Sequence, residues 1–436
     1  MRSNLWRRIY SLAWWLAMPV VLARLWWRGR KEAGYRLHLA ERFGWYASAA
    51  LNVSDRKILW LHAVSVGETR AAEPLIEALL AAYPEHTILL THMTPTGRAT
   101  GKLLFAKHGL RVLQSYLPYD TGWMAARFLR HFSPQICLLM ETEVWPNLIA
   151  ACVAQRIPVA LLNARLSARS LRRAQCFSGL MREAAQGLSC VAAQTPADAA
   201  RLQHIGARNV QVTGSIKFDV LPPAAALALG QALRDRIGTR PVLLCASTRE
   251  GEEALILDAL QNTGETCGEI LLLLVPRHPQ RFDAVAQLVK AHGLVMQRRS
   301  SLGAAMAGAP IASTVQVLLG DSMGEMFAYY AACDIAFIGG SLLPLGGQNL
   351  IEACALGKPV LTGPHTFNFA AVTEEAIAAG AARRIADATE LLREAAVLLS
   401  ETGLRESAGH AAHAFAQHHR GATKRTLALL QALIPD

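Results

Sequence analysis

The chain has 436 residues, of which 52% are hydrophobic and 18% are charged. This length is more than one hydrophobic core usually serves, so two domains are expected, and the composition excludes a disordered protein. The eight cysteines are scattered without a C-x-x-C pair, which favours reduced thiols in a cytosolic protein over a disulfide framework or a zinc site. The sequence contains no H-E-x-x-H and no D-x-D pattern, so we expect neither a metal nor another cofactor.

The net charge of +11 is concentrated at the N-terminus, where residues 1–45 carry nine Lys or Arg against Glu32 and Glu41. Residues 9–23 of this segment form an apolar, uncharged stretch. The tryptophans in or beside it are Trp6, Trp14, Trp15, Trp26 and Trp27. Indoles and arginines at both ends of an apolar run are typical of a membrane interface. The sequence therefore predicts a membrane anchor over residues 1–30.

The length of the apolar stretch leaves two placements of this anchor open. Its residues make about 22 Å of helix, whereas the hydrocarbon core of a bilayer is roughly 30 Å thick. The helix therefore either spans the bilayer with its arginines reaching the headgroups or lies half-immersed.

Two other interpretations of the N-terminus were weighed. Val21-Leu22-Ala23 resembles a signal-peptide cleavage site, but the cysteine pattern argues against export. A basic arm for nucleic acid would account for the charge but not for five tryptophans around an apolar run. We therefore expect a membrane surface, and no nucleic acid, as a partner.

From Lys57 onward, short apolar runs rich in β-formers alternate with helical patterns. The predicted strands are 58–62, 87–91, 111–116, 136–140, 158–162, 190–193 and 210–213, then 242–246, 270–275, 315–319, 335–338 and 359–361. Continuous apolar strands with helical crossovers predict parallel sheets covered on both faces. Pro222 and Pro223 mark a linker over 220–226. The expected fold class is thus α/β, with two doubly wound Rossmann-like domains facing a cleft. They cover 31–219 and 220–436, and the second includes a C-terminal helix over 405–433.

Ligands of doubly wound sheets bind at the carboxyl ends of strands, so the loops that follow strands are the candidate sites. The first strand runs into a loop that contains Ser65, Gly67 and Glu68, followed by a helix over 69–82. Ser65-x-x-Glu68 is either a capping box at the start of this helix or a place where Glu68 takes a proton from an acceptor hydroxyl. Gly67 would let such an acceptor approach the backbone closely.

Two further loops of the first half carry charges. Glu141 and Glu143 follow a buried strand, and Glu143 has a structural alternative, since it can favour the N-terminus of the next helix. Glu141 is the better functional candidate. Lys217, where the first domain ends, is either a surface lysine or a cation that faces the cleft.

Most strands of the second half end in small or charged residues. Ser247 and Arg249 open one helix, Pro276 and Arg277 follow the next strand, and glycine-rich turns occur over 320–326, 339–341 and 346–352. Such turns bind phosphate through their amides and the helix dipole. Glu352, about one turn into its helix, can accept from both hydroxyls of a ribose. Together these loops predict a nucleotide site.

Several motifs are specific to one family. They are H-x-V-S-V-G-E-T, T-P-T-G-R, Y-L-P-Y-D, M-E-T-E-V-W-P-N-L-I, N-A-R-L-S-A-R-S, G-S-I-K-F-D, V-P-R-H-P-Q-R-F, G-D-S-M-G-E and G-P-H-T-F-N-F. This set resembles the bacterial 3-deoxy-D-manno-octulosonic acid (Kdo) transferases of lipopolysaccharide biosynthesis, from the anchor to about Phe369. The resemblance implies the GT-B fold of two Rossmann-like domains.

The resemblance also implies residue roles. Glu68 matches the general base, and Glu141 and Lys217 match positions that stabilise the transition state. The positions that match the CMP-contacting segments are Pro276, Arg277, Met323, Gly324, Glu325, Asn349, Leu350, Ile351 and Glu352. In the last segment, Gln348 stands where the family commonly has histidine and Leu350 where it has proline, whereas Asn349 and Glu352 are retained.

The function implied by the resemblance is transfer of Kdo from CMP-Kdo to the lipid A precursor, a tetraacyldisaccharide 1,4'-bisphosphate. The reaction is expected to invert the anomeric carbon without a metal, at the cytoplasmic side of the inner membrane. The first alternative is another GT-B transferase or epimerase that uses a UDP-sugar. The second is a non-catalytic, membrane-tethered module that binds nucleotide or lipid.

Overall fold

The computed structural model describes residues 2–46, 56–262, 270–303 and 308–434. The chain divides into two compact units. The first unit comprises Met1–Val220 together with Arg420–Asp436, and the second comprises Leu221–His419. The division after Val220 falls at the start of the predicted linker.

The sheet of the first unit is parallel, with strand order β3-β2-β1-β4-β5-β6-β7. Its strands are β1 Lys57–His62, β2 His86–His92, β3 Val112–Tyr116, β4 Ile136–Met140, β5 Val159–Ala164, β6 Cys190–Ala193 and β7 Val210–Val212. The helices before and between them are α1 Arg2–Lys31, α2 Leu39–Arg42, α3 Val66–Ala82, α4 Pro95–Leu104, α5 Gly122–Phe132, α6 Pro146–Ala154, α7 Ala168–Gln175, α8 Ser178–Gln186 and α9 Pro196–His204. The strands predicted for the first half all form.

The sheet of the second unit is also parallel, with strand order β10-β11-β9-β8-β12-β13-β14. Its strands are β8 Val242–Thr248, β9 Leu271–Pro276, β10 Met296–Arg298, β11 Val317–Leu319, β12 Ile335–Ile338, β13 Val360–Thr362 and β14 Ala382–Arg384. Its helices are α10 Ala224–Ile237, α11 Glu252–Asn262, α12 Phe282–Ala291, α13 Met326–Ala332, α14 Ile351–Ala355, α15 Ala370–Ala378, α16 Ala388–Ser400 and α17 Thr402–His418. The two edge strands, β10 and β14, were not predicted.

Both faces of each sheet are covered, as the continuous apolar strands predicted. In β1, Ile58 and Trp60 pack into one hydrophobic cluster, whereas Leu59 and Leu61 pack into another on the opposite face. This follows from the alternation of side chains along a strand. The five residues from Ile58 to His62 are fully buried.

The strand orders define one switch point in each sheet. In the first, β1 lies between β2 and β4. The chain therefore proceeds to one side of β1 through β2 and β3 and to its other side through β4 to β7. In the second, β8 lies between β9 and β12 in the same way. A crevice forms at the carboxyl ends of the strands where the connections diverge. The loops after β1 and β4, and those after β8 and β12, therefore occupy the favoured binding positions.

The C-terminal helix differs from its prediction. It is interrupted at Gly421, whose φ is +91°, and the part beyond it, α18 (Ala422–Gln431), belongs to the first unit and not to the second. Ala422 and Leu430 are buried in the hydrophobic cluster on one face of the first sheet. The Asp219 carboxylate accepts hydrogen bonds from the Gly421 and Thr423 amides at 2.6 and 2.5 Å.

We predict that Asp219→Ala loosens α18, because it removes the acceptor of two amides at the start of this helix. Losing such a cap costs about 1–2 kcal/mol. Hydrogen exchange of the amides in 422–431 should then accelerate about 5- to 30-fold. Asp235→Ala, which removes a carboxylate that accepts from the Gln231 side chain on α10, is the control and should change this exchange little. Unaltered protection of α18 in Asp219→Ala would contradict the proposed cap.

Candidate active site

Glu68 lies in the first turn of α3, whose N-cap is Ser65. Its carboxylate accepts from the Val64 backbone N–H at 2.8 Å and from the Ser65 hydroxyl at 3.3 Å. The predicted capping box is therefore present only in part. The glutamate side chain returns to the loop backbone, but the Ser65 side chain donates to Glu68 and does not accept from a helix amide.

Burial raises the pKa of Glu68 to about 7. The Val64 N–H opposes this shift by stabilising the carboxylate, whereas the negative charges of Glu143 and Glu141 add to it. Desolvation and like charges both disfavour the ionised form. A carboxyl group whose pKa lies near neutral pH is suited to act as a general base at that pH.

The loop that carries Glu68 has open space beside Gly67 and packs against α4 at Gly97. A Cβ added at Gly67 would have no neighbour nearer than the Ser65 hydroxyl, at 4.0 Å. On the other side, a Cβ at Gly97 in α4 would lie 3.3 Å from backbone atoms of Val64 and Ser65. Glycine at 97 thus lets α4 pack directly on this loop, while the space beside Gly67 is open.

Glu141 directly follows β4 and is only 5% exposed. Its backbone has a φ of +54°, a left-handed conformation that is rare for a residue with a side chain. Its carboxylate lies 2.7 Å from the Lys217 ammonium and 3.0 Å from Arg165 Nε. The structure thus brings together the two residues predicted from sequence, Glu141 and Lys217. It adds Arg165, which the sequence analysis did not single out.

Glu143 faces the same cluster and does not cap the next helix. Its carboxylate accepts from Trp145 Nε1 at 2.9 Å, and burial, together with the charge of Glu141, raises its pKa. The first amides of α6 are instead bound by Asp120, which accepts from Asn147 and Leu148 at 3.1 and 2.8 Å. Asp120 therefore caps α6, and an interaction of the Glu143 charge with the dipole of this helix stays a prediction.

His62, the last residue of β1, completes this end of the sheet. Burial lowers its pKa to about 3, so the ring is neutral. Nδ1 bonds Thr91, whereas Nε2 lies 4.0 Å from the Glu143 carboxylate and has no hydrogen-bond partner in the described part of the chain. One edge of the sheet thus carries the neutral imidazole of His62 at the end of β1. The segments that follow β1, β4, β5 and β7 add three carboxylates and two cations.

The nucleotide candidates of the second unit lie at the ends of β8 and β9 and in the segments that follow β8, β9, β11 and β12, at the carboxyl edge of that sheet. Ser247 has a φ of +56° at an irregularity in the pairing of β8 with β9. Burial lowers the pKa of His278, and the positive charges of Arg277, Arg249 and Arg281 lower it further. The positive charges of three arginines therefore act on this position, and Arg281 is paired with Glu253 at 2.6 Å. This edge is suited to bind an anion.

One of the predicted phosphate-binding turns is occupied by a carboxylate of the protein itself. Glu252 is fully buried and accepts from the amides of Gly340, Ser341 and Leu342 at 2.6, 2.9 and 2.9 Å. It also accepts from the Arg249 amide at 2.8 Å. The turn at 339–341 therefore joins the loops after β8 and β12, and its amides are not available to a phosphate.

The loop after β11 contains Met323 and Gly324, and the hydrogen-bonded carboxylate of Glu325 follows them in the chain. Met323 is 60% exposed, and Gly324 has a φ of +84°. The Glu325 carboxylate accepts from Arg299 Nη2 at 3.0 Å and from the Ser322 hydroxyl at 2.5 Å. These bonds fix the loop.

The segment 349–352 opens α14. The Asn349 side chain accepts from the Ile351 amide at 3.1 Å and donates to Glu352 at 3.3 Å. Leu350 and Ile351 are buried, so their side chains are not accessible from solvent. Glu352 is the second residue of α14, closer to the helix start than predicted. Within the described ranges, no group of three or more His, Cys, Asp or Glu side chains could hold a metal ion.

Comparison with known proteins identifies relatives over nearly the whole chain. Residues 37–220 match the family described as 3-deoxy-D-manno-octulosonic-acid transferase (kdotransferase). The chain is 49% identical to a 3-deoxy-D-manno-octulosonic acid transferase of Bordetella pertussis, covering 98% of this chain and 99% of that protein. It is 37% identical to a protein of the same name from Haemophilus influenzae, covering 98% of each.

Among solved structures, the UDP-GlcNAc 2-epimerase of Neisseria meningitidis bound to UDP-GlcNAc matches with a TM-score of 0.58. The match covers 86% of this chain and 100% of that chain, at 17% sequence identity. At this identity the likeness concerns the fold alone. It confirms the predicted GT-B type of two doubly wound sheets.

We predict that Glu143→Gln lowers the pKa of Glu68 towards that of an ordinary carboxyl group, because it removes a nearby negative charge. The measurement is a carbon-13 titration of the side-chain carboxyls, with Glu68 assigned by its loss in Glu68→Gln. Glu73→Gln, on the same helix but not among the charges that act on Glu68, should leave the titration midpoint near pH 7. A midpoint that Glu143→Gln does not move would mean that the two carboxylates are too far apart to interact.

Proposed function

Because the chain belongs to the family of 3-deoxy-D-manno-octulosonic acid (Kdo) transferases, which are glycosyltransferases of lipopolysaccharide biosynthesis, we propose that it transfers Kdo from CMP-Kdo to the lipid A precursor. The acceptor is the tetraacyldisaccharide 1,4'-bisphosphate at the cytoplasmic side of the inner membrane. The observation that carries the mechanism is Glu68, a buried carboxyl with a pKa of about 7 beside open space at Gly67.

In the proposed reaction, Glu68 accepts the proton of the acceptor hydroxyl as its oxygen attacks the anomeric carbon of Kdo. The bond between that carbon and the phosphate oxygen breaks, and CMP leaves as a phosphate monoester. Attack from the face opposite the leaving group inverts the anomeric carbon, through an oxocarbenium-like transition state. Glu68 then releases the proton to solvent.

Lys217, Glu141 and Arg165 form the proposed charge-stabilising group. One carboxylate between two cations leaves a net positive charge, and Glu141 holds the Lys217 ammonium at 2.7 Å. A pre-oriented cation stabilises charge that develops on the donor without reorganising during the reaction. Glu141 thus acts through the cation that it positions.

We propose that the donor binds at the carboxyl edge of the second sheet. Arg249 and Arg277 are the side chains suited to the CMP phosphate, because the amides of the 339–341 turn are bonded to Glu252. Ser247, Pro276 and the segment 323–325 would frame the nucleotide, and Asn349 and Glu352 would bind its ribose. Guanidinium groups can stabilise the leaving phosphate, so the proposed reaction is independent of a metal.

The proposed membrane location is supported by α1. The stretch Leu5–Arg30 is long and apolar enough to cross a membrane. However, Met18 and Leu25 are buried against the first unit, Arg7 pairs with Glu183 at 3.1 Å, and the Ser11 hydroxyl donates to the Asn147 side chain at 3.1 Å. The opposite face exposes Leu12, Leu16 and Val20. A helix that packs on a folded unit along its length is suited to lie half-immersed in the membrane surface.

The experiment that tests the function is mass spectrometry of lipid products after incubation with CMP-Kdo and the lipid A precursor. Parallel incubations with UDP-sugars test the alternative of another GT-B transferase or epimerase, which the fold alone would also allow. Addition of the mass of Kdo to the lipid, with no product from UDP-sugars, is the expected result. Turnover of a UDP-sugar without Kdo transfer would overturn the proposal.

We predict that Glu68→Gln lowers the transfer rate by about two to four orders of magnitude, because glutamine cannot take the acceptor proton. Glutamine can still accept from the Val64 N–H, so the loop should keep its conformation. The parent rate should rise with pH until about pH 7, where Glu68 becomes ionised. CMP affinity should be unchanged, because no proposed CMP contact is altered.

A melting curve distinguishes this role from a structural one. The pKa of Glu68 is raised from 4.5 to about 7 in the folded protein. Ionising this carboxyl therefore costs folding free energy as the pH rises through that window, and the cost is complete above pH 7. Glu68→Gln removes the cost, so at pH 8 the variant should melt at or slightly above the parent temperature. A well-folded variant that keeps near-normal transfer would exclude Glu68 as the base.

We predict that Arg277→Ala weakens CMP binding about 10- to 100-fold, because a charge-assisted hydrogen bond to phosphate is worth roughly 1.5–3 kcal/mol. Isothermal titration calorimetry with CMP measures the change. Arg393→Ala is the matched control, since Arg393 is an exposed arginine of the same unit that pairs with Glu390 on α16. Equal CMP affinity in Arg277→Ala and the parent would move the phosphate site elsewhere.

A further inference from the structure

A second exposed aromatic surface, formed by Trp45, Trp123 and Arg127, lies in the first unit. Trp45 follows α2, and the other two residues lie in the first half of α5. The indole rings meet edge to face with centroids 6.1 Å apart. The Arg127 guanidinium lies 3.8 Å from the Trp45 ring centroid and 5.0 Å from that of Trp123. Trp45 is 54% exposed and Trp123 is 45% exposed. We call Trp45 and Trp123 the tryptophan pair.

The chemistry of this surface matches the headgroup region of an anionic bilayer. Indole rings with an adjacent arginine are enriched at that level, where one side of the group is apolar and the other is hydrated. Arg127 donates through Nε to the Gly44 carbonyl at 3.0 Å and makes no ion pair with a carboxylate in the described residues. The sequence of α5 contains Arg127 and Arg130 and no acidic residue, so the surface has a positive charge available to an anionic lipid.

The tryptophan pair lies beside the hydrophobic cluster through which α1 packs on the rest of the first unit. Phe43 and Met124, close along the chain to the pair, pack in one hydrophobic cluster with Met18 and Leu25 of α1. Between α1 and Trp45 the chain also exposes Leu37 and Leu39. α1 and the tryptophan pair are therefore joined by one buried cluster, which fixes the position of the pair relative to the helix.

We propose that the tryptophan pair and Arg127 form a second contact with the bilayer, at the headgroup level of anionic phospholipids. A single amphipathic helix leaves the protein free to roll about the helix axis. A contact to one side of that axis restricts the rolling and sets the tilt of the carboxyl edge of the first sheet, where Glu68 and Glu141 lie. The inference rests on the proposed function only in that a lipid acceptor makes this orientation useful.

The test uses the full-length protein, in which α1 is unchanged, and sedimentation with vesicles of equal parts phosphatidylcholine and phosphatidylglycerol. Trp45→Ser combined with Trp123→Ser should lower the partition coefficient about ten-fold or more, because it removes two interfacial aromatic rings. Arg127→Gln should lower it about five-fold in these vesicles and not in pure phosphatidylcholine, as expected for one basic residue at an anionic surface.

The matched control is Leu103→Ser combined with Leu110→Ser. Both leucines are strongly exposed in the same unit. They precede β3 and so lie towards the amino ends of the strands, whereas Trp123 follows β3 at the carboxyl ends. This control should partition as the parent does. Equal partitioning of the tryptophan double variant and the parent would overturn the proposal.

Transfer measured in detergent micelles separates this proposal from the proposed function, because a micelle has no bilayer plane to orient the protein. There the tryptophan double variant should turn over as fast as the parent and melt at the same temperature. Slower turnover in micelles would assign the pair a structural role and also overturn the second contact. If the parent itself transfers no Kdo in micelles, the proposed function fails, while the vesicle measurement still decides the second contact.

Discussion

The carboxylate of Glu141 is removed from water at the end of β4 and lies between Lys217 and Arg165. A buried carboxylate is strongly destabilising unless it is paired, and these two cations come from the segments that follow β7 and β5. The pairing therefore holds the ends of three strands in one arrangement. It also compensates for the left-handed backbone at Glu141, a conformation that persists only where its surroundings impose it. The position of Lys217 depends on this one charge, which also contributes to the raised pKa of Glu68.

The second unit uses a buried glutamate in a contrasting way. Glu252 also bridges loops at a switch point, but its partners are four backbone amides and not side-chain cations. Its carboxylate therefore occupies the amides of a glycine turn that could otherwise bind an anionic ligand. Gly339 permits this arrangement, because a Cβ there would lie 2.7 Å from the Thr248 Cα. The amides of this turn are therefore not available to a phosphate, and the proposed phosphate contacts are arginine side chains, which confer geometric selectivity as well as charge.

The residues that could be predicted from the sequence were those with a local signal. Continuous apolar runs identified the central strands, whereas β10 and β14 are three-residue edge strands with sequences Met-Gln-Arg and Ala-Arg-Arg, which lack such a run. The contact of Asp219 with Gly421 joins residues about two hundred positions apart and leaves no local trace. Arg165 follows β5, so the rule that selected Glu141 could have found it. The role of Glu252 and the raised pKa of Glu68 depend on burial and on tertiary neighbours, which spacing alone does not reveal.

Hydrogen bonds attach α1, the proposed membrane helix, to the start of α6, next to the loop that carries Glu141 and Glu143. Tyr10 hydrogen-bonds to Asp120, Asp120 binds the first amides of α6, and Ser11 bonds Asn147 in the same turn. Because α6 begins directly after the loop that carries Glu141 and Glu143, few bonds separate α1 from the carboxylates. A flexible tether would concentrate the protein at a membrane without fixing its orientation. In the proposed membrane location, a helix bonded to this loop instead sets the height and direction of the carboxylates relative to the membrane surface. The proposed acceptor has acyl chains that fix its depth in the membrane, so this arrangement would restrict the approach of its hydroxyl to Glu68 and lower the entropic part of the proposed reaction's barrier.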